Sequence, residues 1–433
     1  MRLYSTKSKS KFVSLKEAVF KGLPEDNGLY MPEVIPQLSK DFIRNLKDYS
    51  FQEIGIEICK MLFQGAISDA DVKMIVENSI TFPAPIVQLD EEKYVLELFH
   101  GPSLAFKDFG ARFMAQLMSY FNRGNEEELV ILVATSGDTG GAVASGFYKT
   151  SGIKVVILYP SGKVSNLQEK QLTTLGHNIT ALEVDGTFDD CQALVKKAFL
   201  DKELNQNIRL SSANSINIAR LIPQSFYYFE AFKQLNNYKD DVVFCIPSGN
   251  FGNLTAGLFA KQMGLPIAKF IAATNMNDIV PEYLSTGTYQ PRPSIATLSN
   301  AMDVGNPSNF ARMLDIYCST GNTMTEDIVG YGYNDEQTKV GMKEVFTQYN
   351  YEIDPHGAIG YLALKDYQSK NEGSKGIILE TAHPTKFLPD VEKVLNKQLE
   401  VPERLAILAN REKVSIPIGI NFDLFKDFLL TNY

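Results

Sequence analysis

The chain has 433 residues, of which 44% are hydrophobic and 21% are charged, and its formal net charge is −9 at pH 7. This composition is typical of a globular protein and excludes a disordered one, and the length predicts two or three domains rather than a single core. The negative charge does not favour a nucleic-acid partner, and no apolar run reaches the ~18 residues of a membrane span.

Cysteine and histidine usage predicts neither a disulfide framework nor a metal site. The four cysteines form no CxxC pair, and the four histidines form no HExxH motif. We therefore expect reduced thiols and a cytoplasmic protein. The basic residues 1–18 lack a hydrophobic region and do not predict a secretory signal. They weakly resemble a transit peptide, but the helical spacing of their apolar residues favours a folded segment.

In chain order, the first 85 residues differ in character from the rest. A basic, helix-like opening is followed by helical patterns around 51–63 and 70–78, and a proline-rich connector over 81–85 ends this part. The pattern predicts a mostly helical N-terminal subdomain over 1–85.

From residue 86 onwards, apolar strand-like runs alternate with helix-length segments. Such alternation predicts α/β architecture, with parallel sheets covered by helices on both faces. The predicted strands are 93–99, 129–135, 154–159, 179–184, 242–246, 270–274 and 376–380. Ligands of such sheets bind beyond the carboxyl ends of the strands, so the turns after these runs are the places to search.

The turn after the first of these runs places Lys107 in an apolar neighbourhood at a predicted helix start. Desolvation lowers the pKa of a lysine amine and prepares it for covalent chemistry with a carbonyl. Most lysines are simply solvated, and the local sequence alone leaves that alternative open.

Two further turns predict anion-binding loops. Residues 247–253, PSGNFGN, join a strand to a helix, and glycines there let several backbone N–H groups and a helix start face one phosphate. Residues 135–141, TSGDTGG, repeat this arrangement and could hold a carboxylate. A plain glycine-rich turn is the alternative for the first loop.

In chain order, the lysine turn, the loop 135–141 and the loop 247–253 resemble the fold-type II enzymes that use pyridoxal 5′-phosphate. Longer strings are similar to the threonine synthase family over nearly the whole chain. These strings are GLPEDNGLYMPEVIP, LELFHGPSLAFKDFGARFMAQ, ATSGDTGGAVASGFY, YPSGKVSNLQEKQLTTLG, NSINIARLIPQSFYYF, IPSGNFGNLTAGLFAK, LSNAMDVGNPSNF and ETAHPTKF.

The resemblance implies two parallel-sheet, three-layer domains in addition to the N-terminal subdomain. Residues 86–111 and 236–433 would form the large cofactor-binding domain, and 112–235 a smaller domain that closes on substrate binding. It also implies the conversion of O-phospho-L-homoserine and water to L-threonine and phosphate, by γ-elimination and β-addition of water.

The resemblance further implies the role of each site residue. Lys107 would form the Schiff base with the cofactor and shuttle protons, and Thr381 would bond the pyridine nitrogen. The implied cofactor-phosphate residues are Gly249, Asn250, Phe251, Gly252 and Asn253. The implied residues around the substrate carboxylate are Ser136, Gly137, Asp138 and Thr139. Ser103 keeps the hydroxyl of the threonine that is more usual there, and it is also expected on the substrate side.

The phosphate of the substrate needs positive partners. Lys163, Asn214 and Arg220 are the candidates, and Arg112 is a weaker one; each could instead cover the surface or cap a helix. The chain departs from the family at Asn253 and Ala311, where an acidic residue is more usual, and the role of 306–312 is left open.

Three alternative functions remain at the level of sequence. A phospho-lyase that releases a keto acid would share the same strings, and a non-catalytic protein that binds the cofactor is a second alternative. A nicotinamide-dependent dehydrogenase would need a GxGxxG motif with an acidic residue ~20 positions further on, and the chain has no such motif. The oligomeric state, monomer or homodimer, is left open.

Overall fold

The structure is a computed structural model that describes residues 1–125, 127–135, 137–235 and 241–433. The strands are β1 (Arg2–Ser5), β2 (Ser8–Ser14), β3 (Tyr30–Pro32), β4 (Ile86–Gln88), β5 (Lys93–Glu97), β6 (Leu129–Ala134), β7 (Ile153–Pro160), β8 (Ile179–Val184), β9 (Arg209–Ser212), β10 (Val242–Pro247), β11 (Lys269–Thr274), β12 (Ile328–Gly332), β13 (Lys375–Glu380) and β14 (Ile416–Ile418).

The helices lie between these strands and after them. They are α1 (Leu15–Lys21), α2 (Lys40–Arg44), α3 (Phe51–Leu62), α4 (Asp69–Ser79), α5 (Lys107–Asn122), α6 (Asp138–Phe147), α7 (Asn166–Thr173), α8 (Phe188–Leu200), α9 (Lys202–Asn207), α10 (Ile218–Leu221), α11 (Phe226–Gln234), α12 (Gly252–Gln262), α13 (Ile279–Thr286), α14 (Phe310–Thr320), α15 (Met324–Asp327), α16 (Asp335–Tyr349), α17 (Pro355–Gln368), α18 (Leu388–Leu395), α19 (Glu403–Ala409) and α20 (Phe422–Asn432). No helix in these described ranges is long and apolar enough to cross a bilayer.

The larger sheet has six strands in the order β12-β11-β10-β13-β5-β4. All neighbouring strands are parallel except β4, which pairs antiparallel with β5 at one edge. Its inner strands are continuous apolar runs because helices cover both faces, and Val242–Pro247 is buried at every residue. The prediction of a parallel α/β sheet is confirmed here.

A second sheet has five strands in the order β14-β8-β7-β6-β9, and all its pairs are parallel. The predicted assignment of 236–433 to the large domain is wrong at its end. Strand β14 pairs with β8, and α20 packs against α8 and α9, so both lie with the second sheet and not with the larger one. Phe425 and Leu429 of α20 are fully buried there, so the burial of their apolar side chains stabilises the packing of the C-terminal segment on the second sheet.

The N-terminal subdomain combines helices α1–α4 with a small antiparallel sheet in the order β2-β1-β3. The basic opening predicted as helix-like is therefore a hairpin up to Ser14, and the helix begins only at Leu15. The Ser14 side chain accepts a hydrogen bond from the Glu17 N–H, which marks the helix start. The predicted helices around 51–63 and 70–78 are present as α3 and α4.

Candidate active site

Three neighbouring parallel strands of the large sheet direct the chain into one region. Strand β10 ends in the loop 248–253, β13 ends directly before Thr381, and β5 leads into the turn that carries Lys107. The turn and the strand end are joined, because the Phe106 N–H donates to the Thr381 carbonyl at 2.8 Å. The predicted cofactor-binding residues thus meet at the carboxyl edge of the sheet, where parallel sheets bind ligands.

The turn before Lys107 is held by the buried carboxylate of Asp108. Its Oδ2 accepts a hydrogen bond from the Ser103 N–H at 2.8 Å, and a Cβ at Gly101 would lie 2.4 Å from the same oxygen. Burial raises the pKa of Asp108 to about 6. Leu104 takes a left-handed conformation, with φ 58°, within this turn. The turn therefore fixes Lys107 as the first residue of α5.

The Lys107 side chain is only 17% exposed, and its Nζ lies 3.5 Å from Asp138 Oδ2. Burial lowers the pKa of the Lys107 amine, and the carboxylate of Asp138 opposes this shift only in part. The amine therefore lies closer to its neutral, reactive form than a solvated lysine does.

Asp138 begins α6 in the smaller domain and contacts a second lysine that sequence reasoning missed. Lys386 Nζ lies 2.7 Å from Asp138 Oδ1 and donates to the Ser103 carbonyl at 2.7 Å. Burial alone would raise the pKa of Asp138, but the ammonium groups of Lys386 and Lys107 outweigh it and hold that pKa well below its usual range. The signal that could have found Lys386 is its place just after the end of β13, within the segment that follows Thr381.

Two buried glutamines of α7 complete this contact between the domains, and sequence reasoning missed them too. Gln168 Nε2 donates to Asp138 Oδ1 at 3.0 Å, and Gln171 Nε2 donates to the Ser103 carbonyl at 3.1 Å. A Cβ at Gly137 would lie 2.7 Å from Gln168 Nε2, so the glycine permits this approach. Ser136 lies outside the described residues, and Thr139 is partly buried in the first turn of α6.

The predicted phosphate loop turns sharply between β10 and α12. Phe251 takes a left-handed conformation, with φ 58°, and α12 begins at Gly252. A Cβ at Gly249 would lie 2.7 Å from Met302 Cα, so a larger residue would displace the loop. The first N–H groups of a helix lack partners within it and can face an anion.

The two asparagines of this loop use their side chains to build it. Asn253 accepts from Ser248 Oγ at 2.7 Å and donates to the Pro247 carbonyl at 2.8 Å. Asn250 donates to Ser215 Oγ at 3.0 Å and accepts from the Ser308 N–H at 2.6 Å. Because both side chains are already hydrogen-bonded within the protein, these residues would bind a phosphate through their backbone N–H groups.

The residues predicted to bind the substrate phosphate differ in their burial. Arg220 is buried, burial lowers the pKa of its guanidinium to about 10, and its charge also lowers the pKa of Lys107. Lys163 and Asn214 are exposed. Arg112 donates to the carbonyls of Ser79 and Asn78, at 2.9 and 3.0 Å, and so ties α5 to the N-terminal subdomain.

Comparison with known proteins agrees with this geometry. Residues 80–380 match the family described as pyridoxal-phosphate dependent enzyme. Together with a buried lysine at the carboxyl edge of a parallel sheet, this match defines a pyridoxal-phosphate-dependent enzyme. Residues 2–80 match the threonine synthase N terminus, and residues 357–428 match the threonine synthase C-terminal family.

Full-length relatives narrow the class. The threonine synthase of Haemophilus influenzae is 50% identical over 407 residues, covering 94% of each chain. The structure of the Escherichia coli threonine synthase superimposes with a TM-score of 0.92 at 43% identity, covering 100% of both chains. A pyridoxal-phosphate-bound threonine synthase from Brucella melitensis gives a TM-score of 0.94 at 34% identity, covering 100% of this chain and 99% of that one. The chain belongs to the threonine synthase family.

The residues present fit the cofactor of this family. Lys107 supplies a buried amine, and the loop 248–253 supplies a glycine-lined turn at a helix start. In the described part of the chain, Ser103 Oγ and Arg220 Nε are buried without a hydrogen-bond partner. Orphaned buried groups of this kind are costly unless a ligand satisfies them.

A second acidic group lies behind Thr381 and provides a pH-dependent prediction. Glu380 is fully buried, and its Oε1 accepts a hydrogen bond from the Asp354 N–H at 2.8 Å. Burial raises the pKa of Glu380 well above its usual range, and the carboxylates of Asp354 and Glu97 add to the shift.

The folded state therefore binds the Glu380 proton more tightly than the unfolded chain does. The resulting stabilisation is fully present below the unfolded pKa of ~4.3 and is lost as the pH rises from there towards the raised folded pKa. Glu380→Gln cannot lose a proton, so its free energy of unfolding should fall less than that of the wild type between about pH 5 and 8. Urea unfolding at several pH values measures the difference. The exposed Glu372→Gln is the matched control, and parallel curves for wild type and Glu380→Gln would contradict the prediction.

Proposed function

We propose that this chain converts O-phospho-L-homoserine and water to L-threonine and phosphate. The observation that carries the proposal is the buried Lys107 amine beside the Asp138–Lys386 pair, within a fold shared along its whole length with threonine synthases. The family's activity needs an amine at this place that can bind a carbonyl and later carry a proton.

Lys107 would hold the cofactor through its amine. When bound, pyridoxal phosphate supplies an aldehyde that joins the substrate amine and an aromatic ring that takes up electrons from the α-carbon. The lowered pKa of Lys107 leaves its freed amine able to accept the α-proton and later to return one. Thr381, fixed at the end of β13, would donate or accept a hydrogen bond at the pyridine nitrogen without keeping it charged, as a carboxylate would.

The Asp138 side chain is unsuited to bind the substrate carboxylate, because two carboxylates repel one another. Its charge is instead compensated by Lys386 and Lys107. The substrate carboxylate would then contact N–H groups and the Thr139 hydroxyl at the start of α6, beside Gly137. The family resemblance adds Ser136 to this set. Asp138 would keep the site closed between the two domains.

The substrate phosphate would meet Arg220, with Lys163 and Asn214 approaching from the surface, and Ser103 would offer its unpaired hydroxyl on the same side. Arg220 is buried within electrostatic range of Lys107 and has one unpaired N–H, which favours it over the other two. A guanidinium is also the better match to a phosphate.

Product analysis tests the function. We expect one threonine and one phosphate per O-phosphohomoserine consumed, because the proposed chemistry retains the amino group. A phospho-lyase of the same fold would instead release phosphate with 2-oxobutanoate. Chromatography of the amino acid, a phosphate assay and a keto-acid assay on the same sample distinguish the two. Phosphate release without threonine would contradict the proposal.

Closure of the smaller domain, 112–235, over the remainder would exclude water from the site during turnover. Strand β14 and helix α20 would move with this domain, because they pack on it. Small-angle scattering should show a smaller radius of gyration with a substrate analogue than without it, and identical curves would contradict closure.

A cytoplasmic location, based on cysteine usage, belongs to the same proposal.

A further inference from the structure

Arg312, on α14, is a buried cation without an acidic partner. Its side chain is among the largest that are fully buried, and no carboxylate of the described residues lies within ion-pair distance of it. Burial lowers the pKa of its guanidinium to about 9. A buried charge is costly unless it is well bonded, so its partners indicate what it does.

The partners of Arg312 are neutral oxygens. The guanidinium donates to the Tyr30 carbonyl at 3.0 and 3.2 Å and to the Ile216 carbonyl at 2.7 Å. Its remaining bond, at 2.7 Å, goes to Oδ1 of Asn309, which is itself fully buried. The positive charge is therefore only partly offset, by dipoles rather than by an anion.

Asn309 passes this contact on to the loop 248–253. Its Nδ2 donates to the Asn250 carbonyl at 3.0 Å. That carbonyl and the Phe251 N–H belong to the same peptide unit, so a donor that polarises the carbonyl makes the N–H a better donor. Because Asn309 in turn accepts from a cation, both steps of the chain act in the same direction.

The loop has no charged residue of its own. Residues 247–253 contain only proline, serine, glycine, asparagine and phenylalanine. A cofactor phosphate bound there would depend on backbone donors and on the helix start for its stabilisation. A cation two hydrogen bonds away would strengthen those donors and add a favourable long-range interaction.

We propose that Arg312, acting through Asn309, is a positioning residue that strengthens the binding of the phosphate group of pyridoxal phosphate by the backbone N–H groups of the loop 248–253. This inference rests on the proposed role of the loop. It also gives a function to the segment 306–312, whose role the sequence left open.

The test compares pyridoxal phosphate with pyridoxal, which lacks the phosphate, as ligands of the full-length chain. Arg312→Met should weaken binding of pyridoxal phosphate by about tenfold and leave binding of pyridoxal nearly unchanged. Asn309→Leu should have the same effect, and the double variant should lose no more than either single one, because the two residues act in series. Absorbance titration gives both affinities, and Arg312→Lys should recover part of the loss.

Asp315→Asn is the matched control. Asp315 lies one turn further along α14, is buried and pairs with Lys9 at 2.9 Å, outside the chain of contacts to the loop. Its replacement should leave the ratio of the two affinities unchanged. If Arg312→Met and Asn309→Leu weaken both ligands equally, or neither, Arg312 only supports the fold and the inference is wrong.

Gly249→Ala separates this inference from the proposed role of the loop. The added Cβ would displace the loop and should weaken pyridoxal phosphate more than pyridoxal. If it does so while the Arg312 and Asn309 variants behave as wild type, only the inference about Arg312 fails. If it changes neither affinity, the phosphate is bound elsewhere and both proposals fail. Thermal unfolding of each variant identifies one that does not fold; should Arg312→Met unfold, Asn309→Leu alone decides.

Discussion

Replacing Lys107 by alanine is expected to abolish threonine formation and to leave the fold intact. The loss should be at least about 10³-fold, because one amine would serve both covalent attachment and proton transfer. The Asp138 carboxylate keeps its closer partner, Lys386, so no buried charge is left unpaired and stability should change little. Phosphate release measures activity, and urea unfolding measures stability.

Lys386 is the lysine to distinguish from Lys107, because these are the two amines of the described residues that contact Asp138. Its side chain is fully buried, and its Nζ already donates to the Ser103 carbonyl at 2.7 Å, so it should not react with the cofactor aldehyde. Borohydride reduction of the loaded protein followed by peptide mapping should place the adduct on Lys107. An adduct on Lys386, or a colourless protein after incubation with the cofactor, would overturn the assignment. Exposed Lys343→Ala serves as the control for activity.

Replacing Lys386 by methionine should have a different outcome, with loss of both stability and activity. The pair with Asp138 is almost completely buried, with side-chain exposures of 0% and 6%. Removing one partner of such a pair leaves a buried charge poorly compensated and typically costs about 3–5 kcal/mol. Lys107 would then be drawn towards Asp138 in its charged form, which should also slow turnover.

A double-mutant cycle isolates the pair. Lys386→Met combined with Asp138→Asn removes both charges, so it should be more stable than Lys386→Met alone, and the coupling should be measurable by urea unfolding. Strictly additive losses would show that the pair contributes only through packing. The pair Lys339–Glu336, exposed on α16, provides a control cycle that should show a coupling of about 0–1 kcal/mol.

The sequence predicts the strands of the two large sheets well, because inner parallel strands are uninterrupted apolar runs. It misses β4, β9, β12 and the small N-terminal sheet, whose strands are short or half polar. The alternating residues of Ser8–Ser14 are mostly exposed, so burial gives them no periodic signal. Strand β14 is also missed, because a three-residue edge strand is defined by its partner β8 and not by its own composition.

The candidate site shows the same division. Lys107 and the loop 248–253 each follow a strand that ends at glycine, and this local signal marks them as candidates. Their roles are predicted from the family resemblance. Lys386 is marked only by its place after the end of β13, and neither its neighbours in the sequence nor those of Arg312 show that the side chain is buried. Their roles depend on contacts with Asp138 and Asn309, which come from other elements and are fixed only by tertiary packing.

Because β14 belongs to the second sheet, the polypeptide crosses from one sheet to the other three times. It crosses after β5, again between β9 and β10, and finally after α18. Three covalent links restrict the relative motion of the sheets more than two would. Lys107 begins the first crossing and Lys386 precedes the third, while Asp138 lies on the far side. Because both amines contact Asp138, a displacement of Asp138 relative to the larger sheet would alter the electrostatic surroundings of Lys107.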